Sequence, residues 1–196
     1  MTPFFRGARA AAVFLTRVPV GGFPYSRADW RWASGWFPLI GAALGVAEAV
    51  VFVAARRSGP LAAAALAVIA GLFLTGAFHE DGLADTADAL GGAYDRENLF
   101  RILKDSRIGS FGSAALTMAL ILRVALLAQL ADAAPVAIIA TQCFSRTPPI
   151  WLMAALPYVT SDQASRSRLV TRAGWPQAAL ATGVAVLVAV SASPSS

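Results

Sequence analysis

The sequence predicts an all-α fold, a polytopic integral membrane helical bundle of about five transmembrane segments with an N-terminal interfacial helix. Three observations carry this. Of the 196 residues, 57% are hydrophobic and 14% charged, with a mean hydropathy of +0.62, whereas soluble domains carry about a quarter charged residues. The apolar residues fall in long runs, and a spanning helix needs ~20 predominantly apolar residues. Lys and Arg are also unevenly shared between the two sides that these runs define. A soluble helical domain would show polar stripes along its helices, and these runs do not.

The N-terminal stretch MTPFFRGARAAAVFLTRVPV is basic and then apolar. Its apolar part, Ala10 to Leu15, is short and Arg17 interrupts it. It therefore reads as an uncleaved helix lying in the interface with its arginines toward headgroups. Apolar runs follow at Trp36 to Ala55, opened by Pro38 and closed by Arg56 and Arg57, and at Leu61 to Phe78, after a tight RRSGP turn. Three more lie at Phe111 to Leu130, at Pro135 to Pro157 (interrupted by Arg146 and Pro148-Pro149), and at Trp175 to Val190. Polar segments at 79–110 and 158–174 separate them. With no repeat of fixed period, the chain reads as a single membrane domain, 1–196, whose last residues, 191–196, form a frayed tail. The lone Cys143 excludes an intrachain disulfide and reads as a small packing residue.

The formal net charge is +5, from 15 Arg and one Lys against 11 acids. The basic residues are spread over loops between apolar runs, a pattern of membrane topology and not of nucleic-acid binding. Alternating the sides places nine of them (Arg6, Arg9, Arg17, Arg27, Arg31, Arg96, Arg101, Lys104, Arg107) on one side, with three more in 158–174. The other side holds Arg56 and Arg57. By the positive-inside rule the richer side faces the cytoplasm, so the 79–110 loop is expected on the cytoplasmic face of the cell (inner) membrane.

That loop holds seven of the eleven acids, between Glu80 and Asp105. In FHEDGLADTADALGG, Asp81, Asp85 and Asp88 stand at i, i+4 and i+7 and project from one helix face. Like charges at that spacing destabilise a helix, so a compensating cation is expected. Carboxylate oxygens suit Mg²⁺, Mn²⁺ or Ca²⁺ and not softer metals. Downstream, KDSRIGSFG supplies Lys104, Asp105, Ser106 and Arg107 beside a glycine-flanked turn. Arg forks onto phosphate oxygens and Lys acts as a point charge, so this segment is a candidate phosphate-binding loop, or else a capped turn before the next helix. His79, the only histidine, is a candidate general base beside Glu80, or an orienting group. Glu48 and Arg146 lie within apolar runs. A carboxylate there is either functional or a buried partner for Arg123 or Arg146.

FHEDGLADTADALGG followed by KDSRIGSFG resembles the cobalamin synthase family, the adenosylcobinamide-GDP ribazoletransferases. FLTRVPV (Phe14 to Val20) and FPLIGAALG (Phe37 to Gly45) share that resemblance, which runs from about residue 4 to residue 158. The resemblance implies a membrane enzyme that joins adenosylcobinamide-GDP to α-ribazole, or its 5′-phosphate, with magnesium, and releases GMP. It implies catalytic roles for His79, Glu80, Asp81, Asp85 and Asp88, with the three aspartates holding Mg²⁺ against the pyrophosphate and Lys104 and Arg107 offsetting its charge. The bilayer is the surrounding partner, and an oligomer or other cobalamin-assembly enzymes are conceivable neighbours. Trp30, Trp32, Trp36 and Phe37 are expected to offer aromatic surface to the corrinoid. Two departures stand out. Ala89 replaces an expected glycine, a mild change if the backbone there is helical. The chain is also expected to be short at its C-terminus, because family members usually run longer.

Two rival readings differ in kind. CDP-alcohol phosphotransferases also cluster aspartates after a membrane helix, but their D-G-x₂-A-R pattern is not met, since Asp81-Gly82 is followed by Leu83, Ala84 and Asp85. A cation transporter would place its acids at mid-membrane, whereas these cluster at a helix end beside basic residues.

Overall fold

A computed structural model describes residues 2–157 and 173–192, so most of the 158–174 loop with its three arginines, and the end of the expected tail, lie outside the described residues. The described residues are helical, with no strand among them. In chain order the helices are α1 (Pro3–Leu15), α2 (Arg27–Ala33), α3 (Phe37–Ala55), α4 (Pro60–Thr75), α5 (Phe78–Gly92), α6 (Arg96–Ile102), α7 (Ser110–Leu130), α8 (Ala134–Phe144), α9 (Thr147–Ala155) and α10 (Trp175–Ala192). Proline stands in the first turn of α1, α3, α4, α8 and α9, where its missing N–H is no loss and its fixed φ suits the helix.

Among the described residues, two helical runs are long and apolar enough to cross a membrane. Arg27–Ser58 has 32 residues with a mean hydropathy of 2.1, and Ser110–Ala155 has 46 residues with 2.0. The pair α4 and α5 makes a third if counted as one bent span. Five spans are therefore not reproduced. The expected fourth is split at Ser145-Arg146 into α8 and α9, of 11 and 9 residues. At 1.5 Å per residue neither alone crosses a ~30 Å hydrocarbon core. The expected fifth, α10, is a shorter apolar helix.

α3 is the centre of the bundle, packed on α8 and α4, and α4 also packs on α7. Glycines set the α3–α8 approach. A Cβ on Gly45 would lie 2.7 Å from Ile139 Cα, and one on Gly41 would strike the carbonyl of Gln142. Phe52, Ala63, Ala67, Val68, Leu127 and Ile138 form the apolar core below the site. α1 lies against α2, and two of its arginines bond to the chain that follows, Arg6 half-buried and Arg9 exposed. Arg6 Nε donates to Asp29 Oδ2 at 3.0 Å and Arg9 Nη2 donates to the Val20 carbonyl at 2.7 Å. Arg6 serves Asp29, a carboxylate buried by its role in the Ser26 capping box, which needs a countercharge. Trp30 and Phe37 are buried in the core beside α1, while Trp36 is half-buried and donates its Nε1–H to the Phe4 carbonyl at 2.9 Å. Packing has thus consumed Trp30 and Phe37, half of the aromatic surface expected to meet a ligand.

The feature that positions the site is the break between α4 and α5, a bend of 90°. Gly76 closes α4 at φ 68° and Ala77 follows at φ 58°, two consecutive left-handed residues. The chain beyond α1 is tied to this corner, where Arg17 N–H donates to the Leu74 carbonyl at 2.8 Å. A Cβ on Gly76 would run into the Arg17 guanidinium, whose Cζ would stand 2.8 Å away. Gly76→Ala is expected to cost about 1–2 kcal/mol from the left-handed backbone alone, and more from the clash. Ala77→Gly relieves the same penalty with no clash and should raise the Tm. A scan of both variants in detergent checks the opposite signs.

Candidate functional site

α5 carries the acidic stretch away from α4 and lays it across α7. Its inner face is small: Ala84 and Ala89 are buried, and Ala89 lies within a helical backbone, so a methyl is accommodated there. A Cβ on Gly91 would collide with the Phe111 ring. Asp81 is exposed and Asp85 half-buried. Partial burial, then Asp81 and Asp88 as neighbouring negative charges, push the Asp85 carboxyl above its usual range.

Asp88 turns elsewhere. Its Oδ2 accepts from Gly109 N–H at 2.7 Å and its Oδ1 from Gly112 N–H at 2.8 Å. Gly109 is the N-cap of α7, which has no capping side chain of its own. Asp88 therefore caps α7 from another helix, a favourable place for a carboxylate. Both glycines are needed for this approach. A Cβ on Gly112 would stand 2.8 Å from the Ala84 carbonyl and run into the Asp88 carboxylate. Gly112→Ala is expected to push α5 off α7, lowering the Tm by several degrees and removing activity with it. Thermal unfolding and an activity assay on the same sample test this.

Among the described residues no three His, Cys, Asp or Glu side chains stand close enough to hold a metal ion. In this arrangement Asp88 is engaged by α7 and does not stand together with Asp81 and Asp85 as a group of three. The chemistry that does fit is narrower. Asp81 and Asp85, one turn apart, are hard oxygen donors of the kind Mg²⁺ combines with substrate phosphates, and the crowding that raises Asp85 is what a cation would relieve.

The KDSRIG segment lies between α6 and α7. Lys104, Ser106 and Arg107 are exposed. Arg107 is held by its neighbour, with Nε 3.0 Å from Asp105 Oδ1 and Nη2 2.6 Å from Asp105 Oδ2. Hydrogen bonds from the Arg107 side chain and backbone hold the Asp105 carboxyl down at about 2, so the fork stays charged through the physiological range. Asp88, Asp105, Arg107 and Gly109 border a cavity of about 420 Å³ between the two motifs.

On the other side of α5 is a polar network that sequence reasoning only half reached. Glu48, fully buried in α3, accepts at Oε2 from Arg123 Nη2 at 2.8 Å, and at Oε1 from Gln142 Nε2. Gln142 in turn accepts from Arg146 Nη1. Arg123 Nη1 also stands 3.7 Å from Glu80 Oε1. Glu48 is thus the buried partner of Arg123, and of Arg146 through Gln142. Gln142 was missed, though its i, i+4 spacing to Arg146 was the available signal. Gly71 leaves room for the Glu48 carboxylate, which a Cβ there would strike. His79 and Glu80 face the cavity of about 260 Å³ that this network lines. His79 keeps solvent contact, yet partial burial and then the positive Arg146 hold its imidazole below the usual range. It is therefore neutral, and able to accept a proton, at pH 7.

An apolar helical bundle with helices long enough to span, and an acidic helix folded across them, is the architecture of a membrane-type protein whose polar site sits at the helix ends. The chain belongs to the Cobalamin-5-phosphate synthase family, whose pattern it matches over residues 7–195. Its similarity to named relatives agrees. An adenosylcobinamide-GDP ribazoletransferase of Albidiferax ferrireducens is 40% identical over 183 residues, covering 86% of this chain and 65% of the relative. The protein of the same name from Shewanella amazonensis is 49% identical over 123 residues, 62% of this chain and 47% of the relative. That from Polaromonas naphthalenivorans is 46% identical over 144 residues, 66% and 51%. The chain spans about half to two thirds of the length of these relatives. No solved structure matches it.

Proposed function

We propose that the chain carries the reaction centre of an adenosylcobinamide-GDP ribazoletransferase, which joins adenosylcobinamide-GDP to α-ribazole or its 5′-phosphate and releases GMP. The observation that supports it best is the union of the two family motifs. Asp88 of HEDGLADTAD binds both ends of the first turn of α7 in SRIGSFG, so the acidic helix and the cationic loop form one site. The site lies at the end of the spans, on the side the basic residues mark as cytoplasmic.

In this reading a ribazole hydroxyl oxygen attacks the phosphorus that remains with cobinamide. The bond from that phosphorus to the oxygen bridging to GMP breaks, and GMP leaves with the bridging oxygen. The hydroxyl proton passes to Glu80 or to neutral His79. Asp81 and Asp85 would hold Mg²⁺, whose chemistry is to neutralise developing charge on the pyrophosphate oxygens. Lys104 presents its charge to that group, and Arg107 joins it by exchanging Asp105 for phosphate oxygens, to which its fork is equally suited. The pairing of Glu48 with Arg123 favours this reading over ion passage.

The test is direct. The purified chain, supplied with adenosylcobinamide-GDP, α-ribazole and Mg²⁺, should release GMP and form cobalamin in equal amounts. Absence of both products, with a longer relative active in parallel, would defeat the reading for this chain.

A further inference from the structure

His79 is the only histidine of the chain, and it borders the cavity that the Glu48 network lines. A base must keep its nitrogen within hydrogen-bond reach of the proton it takes. An imidazole is commonly aimed by a hydrogen bond to its other nitrogen. Among the described residues the His79 ring makes no hydrogen bond. What it touches is another ring. The centroids of Phe78 and His79 lie 5.4 Å apart at 86°, edge to face. Successive residues of a helix do not face each other, so this contact needs Phe78 to be turned toward its neighbour. Phe78 is 46% exposed, and its ring meets Phe14 of α1 at 5.3 Å and 74°. Phe14 in turn stacks on Phe37, the first residue of α3, at 5.5 Å and 6°. Phe37 is buried in one cluster with Ala10, Ala11 and Leu15 of α1. A line of rings thus runs from the core to the cavity and ends on the imidazole.

We propose that Phe14 is a positioning residue for His79: wedged between Phe37 and Phe78, it holds the Phe78 ring against the imidazole and so fixes the imidazole at the cavity. The chemistry of His79 rests on the transferase reading, whereas its placement rests on these contacts alone. α1 grips the corner on both sides of Gly76-Ala77. Before the corner, Arg17 N–H holds the Leu74 carbonyl at 2.8 Å, and after it the Phe14 ring meets Phe78. The end of α1 that carries both is itself closed, since the Thr16 N–H and hydroxyl donate to the Ala12 carbonyl at 2.9 and 2.7 Å. Each ring contact has the stacked or edge-to-face geometry that aromatic pairs prefer. Arg146, Glu80 and Arg123 act on His79 through their charge, which does not fix the plane of a ring. Without the Phe14 ring, Phe78 is open to solvent on a further side and free to change rotamer. The imidazole then loses the ring that aims it.

A lone histidine gives this a clean signal. The full chain in detergent, free of any histidine tag and isotope-labelled at histidine, shows one set of imidazole resonances. Phe14→Leu should move them toward the positions of free histidine. It should also lower kcat for GMP release on the order of tenfold, with KM for adenosylcobinamide-GDP unchanged, as a misplaced base would. Phe78→Leu should do the same. The double variant should be no worse than either single one, because both changes break one line of contacts. Imidazole resonances that stay in place, or two effects that simply add, overturn the proposal and leave Phe14 a packing residue. Phe78 is nearly half exposed, so Phe78→Leu carries the test where Phe14→Leu does not fold, and an unmoved imidazole there overturns the proposal by itself. Moved and coupled resonances in a chain that releases no GMP would keep the placement and remove the transferase reading. Moved resonances with kcat intact would keep the transferase reading and overturn the positioning role.

Discussion

Asp85→Asn is expected to reduce magnesium-dependent GMP release on the order of 100-fold or more, without lowering the stability of the metal-free chain. The two halves of this result have different origins. Activity falls because the substitution removes one of the two hard oxygen donors that a cation would share with the pyrophosphate. Stability does not fall because Asp85 is not a structural anion. Its carboxyl is raised in the folded chain by partial burial and by Asp81 and Asp88. A raised carboxyl favours the folded state most at low pH, and that advantage is lost as pH rises through the folded value. At neutral pH the ionised group therefore works against folding, and the neutral amide should leave the Tm unchanged or slightly higher. GMP release and thermal unfolding of one preparation check both. Full activity in the Asp85→Asn chain would remove Asp85 from the metal role, and a large drop in Tm would show that it is structural.

Glu48→Ala carries the largest expected effect on stability. Glu48 is 0% exposed and is the negative centre between Arg123 and Gln142, with Arg146 one bond further on. Removing one partner of a buried pair costs about 3–5 kcal/mol, because the other charge is left uncompensated. The lower end applies here, since the Arg123 side chain keeps 31% exposure and a second carboxylate, Glu80, at 3.7 Å. Glu48→Gln should cost less, because the amide can still accept from Gln142. Denaturant unfolding in mild detergent should order the three chains as wild type, Glu48→Gln, Glu48→Ala. Equal midpoints would mean that the network is not holding α3, α7 and α8 together.

Parts of this architecture were legible because they depend on local rules. Proline marks the first turns of α1, α3, α4, α8 and α9, and the apolar runs end close to where helices end. The i, i+4, i+7 aspartates do lie on a helix. The corner at Gly76-Ala77 was not legible, because the apolar run continues smoothly to Phe78 and alanine is a good helix former. The corner is closed by the Gly76 and Ala77 N–H groups on the Leu72 carbonyl and tied from elsewhere in the chain by Arg17 on the Leu74 carbonyl. The fate of Asp88 was hidden for a similar reason. Its partners lie 21 and 24 residues away, so a face that reads as three equivalent carboxylates has one of them capping another helix. The tie from Arg6 to Asp29 was not legible, because nothing local marks Asp29 as buried.

The link from Asp88 to α7 gives the protein a built-in reporter. Two amide protons, those of Gly109 and Gly112, are sheltered by a carboxylate that a cation can also claim. If Mg²⁺ settles on Asp81 and Asp85 alone, those amides keep their acceptor and their chemical shifts. If the ion recruits Asp88 as well, the clasp opens, both amides lose their acceptor together, and the first turn of α7 begins to fray. Isotope labelling of glycine, with spectra taken across a magnesium titration, would therefore count the aspartates in the coordination shell by watching a helix that touches no metal.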